Sequence, residues 1–321
     1  MAPRLILPDS STDDLAEAAC AEDSLLLPGV RAICARHSVD EVGDADIARF
    51  ADGSLPVFAL GQDLVLKLYP AVDFDDYSVE GGVLAAVHDR LPVPTPGVRG
   101  VGELDGWGYV LMDRLRGEPL DEVWPTLDEE ATDRLADALG RALAALHDVD
   151  APVVDTLDPR DWGAFLATQR ESCVARQRKR GLDERWLAQI PEFLDRVALD
   201  PEPRGVLLHT EVMREHLLAA RGPDGWALTG LFDFEPAMRG DAEYEFGAVG
   251  IFFSRGDRRV LRRVLTAYGY PPHELDHALS RRLLAHVLLH VYSHLPWYLR
   301  LIPVGDGVTT LDQLAEHWFG V

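Results

Sequence analysis

The chain has 321 residues, 47% hydrophobic and 26% charged, which excludes a disordered chain and is enough for a large core and two domains or lobes. A formal net charge of −23 and a pI near 4.7 exclude nucleic acid and anionic membrane as natural partners and favour cationic small molecules near any acidic cleft. Cys20, Cys34 and Cys173 are scattered with no CxxC, so neither a disulfide framework nor a zinc site is expected; no apolar run reaches membrane-span length, residues 5–8 are too short for a signal-peptide core, and a cytoplasmic location follows.

Residues 1–50 carry no evident chemistry. Leu25 to Leu27 precede a Pro28-Gly29 break, a helical segment follows, and the whole should lean on the first lobe. From 50 to 70 the pattern becomes strand, turn, strand: Gly53 and Ser54 open a turn, 57–60 is apolar, Gly61-Gln62-Asp63 turns back, and 64–68 is a strand carrying Lys67, one of only two lysines in the chain. A helix is expected over 77–89, with Glu80 near its start. The proline-rich 91–98 reads as an extended link into two more strands, the second at 107–112. Leucines 135, 139, 143 and 146 make one face of a helix over 127–147, ended by His147. Residues 151–200 contain the basic run ARQRKRG, read as a solvated helix end, and short helical segments at 185–190 and 192–197.

The most informative stretch is 206–247. An apolar run ends at His209; Glu211 and His216 follow, and beyond the turn RGPDG the strand-like 226–232 delivers Asp233. We expect two carboxylates at the ends of two short strands joined by a hairpin. Phosphoryl transfer needs such a pair, one carboxylate to orient the attacking hydroxyl and one to hold Mg²⁺ against nucleotide phosphates. Asp241 should cap the next helix. The last part, 261–321, reads as helical from a PPHEL start. His286, His290 and His294 fall four apart, without a carboxylate or Cys to complete a metal site, and are expected, with Trp297 and Tyr298, to line or back an acceptor pocket.

The order of these pieces, including YVLMDRLRGEPL and LGRALAALH, resembles the aminoglycoside phosphotransferase and choline kinase-like family, over roughly residues 50–321. The family's H-G-D-x-x-x-x-N falls on His209, Thr210, Glu211 and His216, and its D-F on Asp233 and Phe234. Three letters depart: Thr for Gly, Glu for Asp, and His for Asn. VFALG, LVLKLY and LDQLAEHWFG resemble hygromycin-type antibiotic kinases in particular.

The resemblance implies an α+β, two-lobed protein-kinase-like fold, with a small antiparallel-sheet nucleotide-binding lobe (1–112) and a larger, mainly helical lobe (113–321) carrying hinge, catalytic loop and acceptor-binding helices. It implies an O-phosphotransferase moving the γ-phosphate of ATP or GTP to a hydroxyl of an antibiotic, aminoglycoside-like, and so conferring resistance. Glu211 would be the base and His209 its support. Lys67, held by Glu80, would bind phosphates beside Ser54; Met112, Asp113 and Leu115 would border the adenine; Asp233 and His216 would hold Mg²⁺, and Asp241 would brace the loop. Kinases of a nucleoside antibiotic or of a metabolite (a sugar or amino alcohol) remain alternatives, as does a catalytically silent kinase-like binding protein.

Overall fold

The computed structural model describes residues 5–39, 43–51 and 53–321. The chain divides into two compact units. One comprises the chain through Asp89 with Pro94–Arg116 and Phe232–Pro236; the other comprises Arg90–Val93, Gly117–Leu231 and Ala237–Val321. No helix among the described residues is long and apolar enough to cross a membrane.

The first unit is built on five antiparallel strands, β1 (Ile47–Arg49), β2 (Val57–Leu60), β3 (Leu64–Tyr69), β4 (Val98–Leu104) and β5 (Trp107–Asp113), in the order β1-β2-β3-β5-β4. Side chains alternate between the faces of a strand. Phe58, Leu60, Leu66, Leu68, Trp107, Tyr109 and Leu111 share one face and form a core with Leu26, Val30, Ile33 and Cys34 of α2 (Asp23–Arg36), which follows α1 (Asp13–Cys20). Lys67 and Tyr69, of opposite parity, therefore face the other side, where α3 (Asp76–Val87) lies. Gly108 lets α3 settle there: a Cβ at this position would fall 2.2 Å from Tyr77. Contrary to the expected break, α2 runs through Pro28. Losing one helix hydrogen bond there costs about 3 kcal/mol, whereas burying Leu26, Val30 and Ile33 returns roughly 1.5–3 kcal/mol apiece.

The second unit begins with β6 (Glu118–Pro119) and α4 (Leu120–Val123). Next come α5 (Glu129–His147), α6 (Trp162–Lys179), α7 (Glu184–Leu187) and α8 (Ile190–Arg196). Strands β7 (Val206–Leu208), β8 (Leu217–Gly222), β9 (Gly225–Leu231) and β10 (Met238–Gly240) follow, then α9 (Ala242–Ala248), α10 (Arg258–Tyr268), α11 (His277–Leu289), α12 (Leu295–Leu301) and α13 (Leu311–Phe319). The α5 leucines at 135, 139, 143 and 146 are fully buried, as their spacing predicts. Helices α5 and α10 meet so closely that a Cβ on Gly140 would lie 2.3 Å from the Val264 carbonyl.

Four local expectations are corrected. The hairpin joins β8 to β9, while the run ending before His209 is β7, paired instead with β10. Residues 271–276 are turn, and α11 starts only at His277, capped by Asp276. The basic run is not merely solvated: Gln177 is fully buried and donates to Ser293 Oγ (2.8 Å), and Arg176 and Arg180 donate to the carbonyls of Leu288 (3.2 Å) and Tyr292 (2.7 Å). Finally, the three histidines do not share a helix face, because α11 ends at Leu289 and His294 caps α12.

Candidate functional site

In the first unit, β3 carries Lys67 into a ring of carboxylates. Its Nζ lies 2.5 Å from Asp233 Oδ1, 2.5 Å from Glu235 Oε2 and 3.1 Å from Glu80 Oε2. Glu80, 1% exposed on α3, also accepts from the Tyr69 hydroxyl and, through Oε1, from the Phe234 N–H (3.2 Å). Tyr69 and Phe234 are themselves fully buried, so this carboxylate ties together β3, α3 and the segment after β9. Asp233 sits at φ +74°, a left-handed conformation uncommon outside glycine. Burial alone would depress the Lys67 ammonium's pKa, but Glu80, Asp233 and Glu235 push it upward. Burial pushes the Glu235 carboxyl up to about 7, against the pull of Lys67.

Three carboxylates around one ammonium leave an excess of negative charge that invites a second cation. Glu80, Asp233 and Glu235 present oxygens all within 4.8 Å of one another. Hard oxygen donors are what Mg²⁺ prefers, so the set fits that ion. Glu235 had gone unremarked in the sequence. Its only sequence signal was that of a second acid two residues after Asp233.

In the second unit, β7 ends in the loop that carries His209, Thr210, Glu211 and His216. The His209 and Thr210 N–H groups donate to Glu245 on α9, at 2.7 Å to Oε2 and 2.9 Å to Oε1. Glu245 is fully buried, and Asp241 caps α9 by accepting from the Glu243 N–H (3.0 Å). The direct brace of the loop is therefore Glu245, with Asp241 setting the helix that carries it. The sequence signal for Glu245 was an acid in the helix begun by Asp241. Nδ1 of His216 lies 2.8 Å from the Glu211 carbonyl, and the His216 ring stacks on His209 at 5.9 Å. One imidazole nitrogen is thus committed to closing the loop.

Arg214, also in the loop, is buried; its guanidinium stacks 3.7 Å from the Trp124 ring centroid and its Nε donates to the Phe253 carbonyl at 2.7 Å. That carbonyl ends a wide helical turn, residues 249–253, whose hydrogen bonds reach five residues along. Burial and the nearby Arg255 push the Arg214 pKa down to about 9.

Of the remaining predicted residues, Met112, Asp113, Leu115 and Ser54 belong to the first unit and His286, Trp297 and Tyr298 to the second. Met112 is buried in β5, and Asp113 ends that strand with its carboxylate on Arg99 Nε (2.6 Å) and its N–H on the Gly97 carbonyl (2.8 Å). Leu115 is half-buried beyond it, while Ser54 is exposed in the bend between β1 and β2. His286 is fully buried, whereas Trp297 remains 42% exposed and packs with Phe252 and Tyr298 at 5.4–5.5 Å.

Comparison with known proteins agrees with this arrangement. The model of the phosphotransferase enzyme family matches residues 46–281, well over half of the chain. Among solved structures, the GDP complex of wild-type aminoglycoside 2'-phosphotransferase-IIIa superimposes with a TM-score of 0.69 at 16% identity, covering 90% of this chain and 98% of that one. The apoenzyme of macrolide 2'-phosphotransferase MphH from Brachybacterium faecium gives 0.59 at 21% identity, covering 87% and 99%. A thermostable mutant of aminoglycoside phosphotransferase APH(4)-Ia, in apo form, gives 0.55 at 20% identity, covering 79% and 87%. At these identities the likeness is one of fold, the α+β kinase-like fold expected from the sequence. With its family model running from β1 into α11, through both the lysine cluster and the Glu211 loop, the chain belongs to the phosphotransferase enzyme family.

Proposed function

We propose that the protein transfers the γ-phosphoryl group of ATP or GTP to a hydroxyl of a small-molecule antibiotic, aminoglycoside-like in character, and that it acts in the cytoplasm. The observation that carries this reading is the buried Lys67 ammonium within 3.1 Å of three carboxylates. An ammonium fixed in this way is suited to phosphate oxygens, with Glu80 holding it in place. Asp233 and Glu235 are the residues that would bind Mg²⁺, which when bound neutralises charge developing on the phosphates. Ser54 would approach the phosphates from its bend. The adenine edge would meet the Asp113 carbonyl and the Leu115 N–H beside Met112, since the Asp113 N–H is already committed to Gly97.

Glu211 would accept the acceptor hydroxyl's proton as its oxygen attacks phosphorus. His209 supports the loop through its backbone, and His216 keeps the Glu211 carbonyl in place. Trp297 and Tyr298 offer an aromatic wall for the acceptor, and the charge of −23 favours a cationic one.

The departures at Thr210, Glu211 and His216 favour a second reading, a kinase-like protein that binds nucleotide without turnover. The test is incubation with Mg²⁺, ATP or GTP and a panel of aminoglycoside, macrolide and nucleoside antibiotics, sugars and amino alcohols, followed by mass spectrometry. We expect one acceptor class to gain a single phosphoryl group, and Glu211→Gln to lower the rate by roughly 10²–10⁴-fold, the usual worth of a general base. Nucleotide-dependent thermal stabilisation with no gain on any acceptor would select the silent reading.

A further inference from the structure

The peptide joining Thr210 to Glu211 is held in a conformation that its residue type resists. Thr210 is β-branched, fully buried and set at φ +70°. Such a residue in the left-handed region costs about 1–3 kcal/mol and persists only where its surroundings over-determine it. Glu245 secures the N–H side of this residue, as described above. The carbonyl side is met by a residue from a different element: Nε2 of His290, just past the end of α11, lies 3.3 Å from the Thr210 oxygen.

The geometry around His290 settles which ring nitrogen carries hydrogen. Nδ1 accepts from the Tyr292 N–H at 3.2 Å, so Nε2 bears the hydrogen and donates it to Thr210. The ring is stacked on Tyr244 at 4.8 Å with 16° between planes, and the Tyr244 hydroxyl accepts in turn from the Val291 N–H (3.1 Å). Burial pushes the imidazole pKa down to about 4, which keeps the donor and acceptor roles fixed at neutral pH. The Thr210 carbonyl and the Glu211 N–H share one peptide plane. Whatever fixes that oxygen also fixes the N–Cα bond about which the Glu211 side chain is set, leaving fewer torsions to aim it.

We propose that His290 is a positioning residue for phosphoryl transfer: its Nε2–H clamps the left-handed Thr210 peptide and thereby aims the Glu211 carboxylate. The proposal rests on the reading of Glu211 as the proton acceptor. It also explains how the loop accommodates threonine at a position where glycine would be free of strain. Glycine would sit at φ +70° unaided, so the clamp should matter because position 210 is threonine.

The test uses the full chain with His290→Phe, which retains a stacked ring but loses the donor, and His290→Gln, which retains an N–H donor. Each is made alone and together with Thr210→Gly. Two readouts are taken: amide hydrogen exchange over residues 209–212, and hydrolysis of Mg²⁺·ATP and Mg²⁺·GTP with water standing in for the hydroxyl. We expect His290→Phe to speed exchange of these amides and lower kcat about 30-fold at unchanged nucleotide KM, the scale of a misplaced reacting group. His290→Gln should recover to within about fivefold of the parent, and Thr210→Gly should shrink the His290→Phe loss to about threefold, because neighbouring groups acting through one contact are not additive. Equal losses with and without Thr210→Gly, or unchanged exchange in His290→Phe, would overturn the proposal. Should His290→Phe fail to fold, exchange in His290→Gln decides, with protection kept at parent level expected and protection lost counting against the clamp. Should Glu211→Gln retain full hydrolysis, the reading of Glu211 as base fails while the exchange data still decide whether His290 holds the peptide.

Discussion

The two units hold their chemical groups by opposite means. In the first, a buried ammonium and three carboxylates hold one another by charge, with an excess of negative charge. In the second, the Glu211 loop is fixed by backbone N–H groups that donate to buried Glu245 and a backbone carbonyl that accepts from buried His290, with one strained residue between them. On the proposed function the difference would suit the two tasks: a charged cluster would exchange partners when phosphates and a metal arrive, whereas a base is useful only if it is already aimed.

The sharpest way to break this contrast is to remove the one cation of the first cluster. Lys67→Met leaves Glu80, Asp233 and Glu235 facing each other in a largely buried site, and we expect it to lower unfolding free energy by about 3–5 kcal/mol, the range for a broken buried ion pair. Urea unfolding measures this, and phosphotransfer should be lost as well. Added Mg²⁺ should recover part of the stability by supplying the missing charge; no recovery would argue against a cation site there.

A somewhat smaller effect is expected in the second unit from Glu245→Ala. Two buried N–H groups, those of His209 and Thr210, lose their acceptor, and unsatisfied donors cost about 1–3 kcal/mol each. Hydrogen exchange at those two amides should rise before global unfolding does. Protection unchanged from the parent would show that Glu245 is not the brace.

The smallest effect separates the units by pH. His286 and His290 are buried and neutral, with pKa values pushed down from 6.5 to about 4 by burial. Between those values the unfolded chain takes up protons that the native chain refuses, so stability contributed here is full above about pH 6.5 and is lost as pH falls toward 4. Both ring nitrogens of His286 lack a hydrogen-bond partner. We therefore expect His286→Phe to leave stability near neutral pH unchanged or slightly higher, since a like-shaped apolar ring desolvates nothing polar. It should also flatten the fall in Tm between pH 6.5 and 4. An unchanged pH profile would place the acid sensitivity elsewhere.

Much of this molecule was legible before any coordinates. The period-3.6 leucines of α5, the alternation and turns around β2 and β3, and the capping position of Asp241 are local signals, written in neighbouring residues and read with local rules. The meeting of Lys67 with Glu80 was implied by the resemblance to a known family. Glu235 and Glu245 were harder, because each is an ordinary acid in a polar stretch until packing buries it. His290 looked like one tooth of a histidine comb, and only the end of α11 at Leu289 turned it away from that row toward the Thr210 carbonyl. Pro28 was misread for a related reason: a local breaker was outweighed by burial of its helix against a sheet some thirty residues further along the chain.

By itself, then, the sequence determined those helices, strands and caps whose signals are local, because periodicity and motif spacing depend only on residues close in the chain; the class of fold was implied by its resemblance to a known family. Tertiary structure alone decided that Glu235 joins Asp233 beside Lys67, which carboxylate braces the loop and which histidine meets the Thr210 carbonyl. Those contacts join residues 35 to 168 positions apart, and their strength comes from burial, which no stretch of sequence displays on its own.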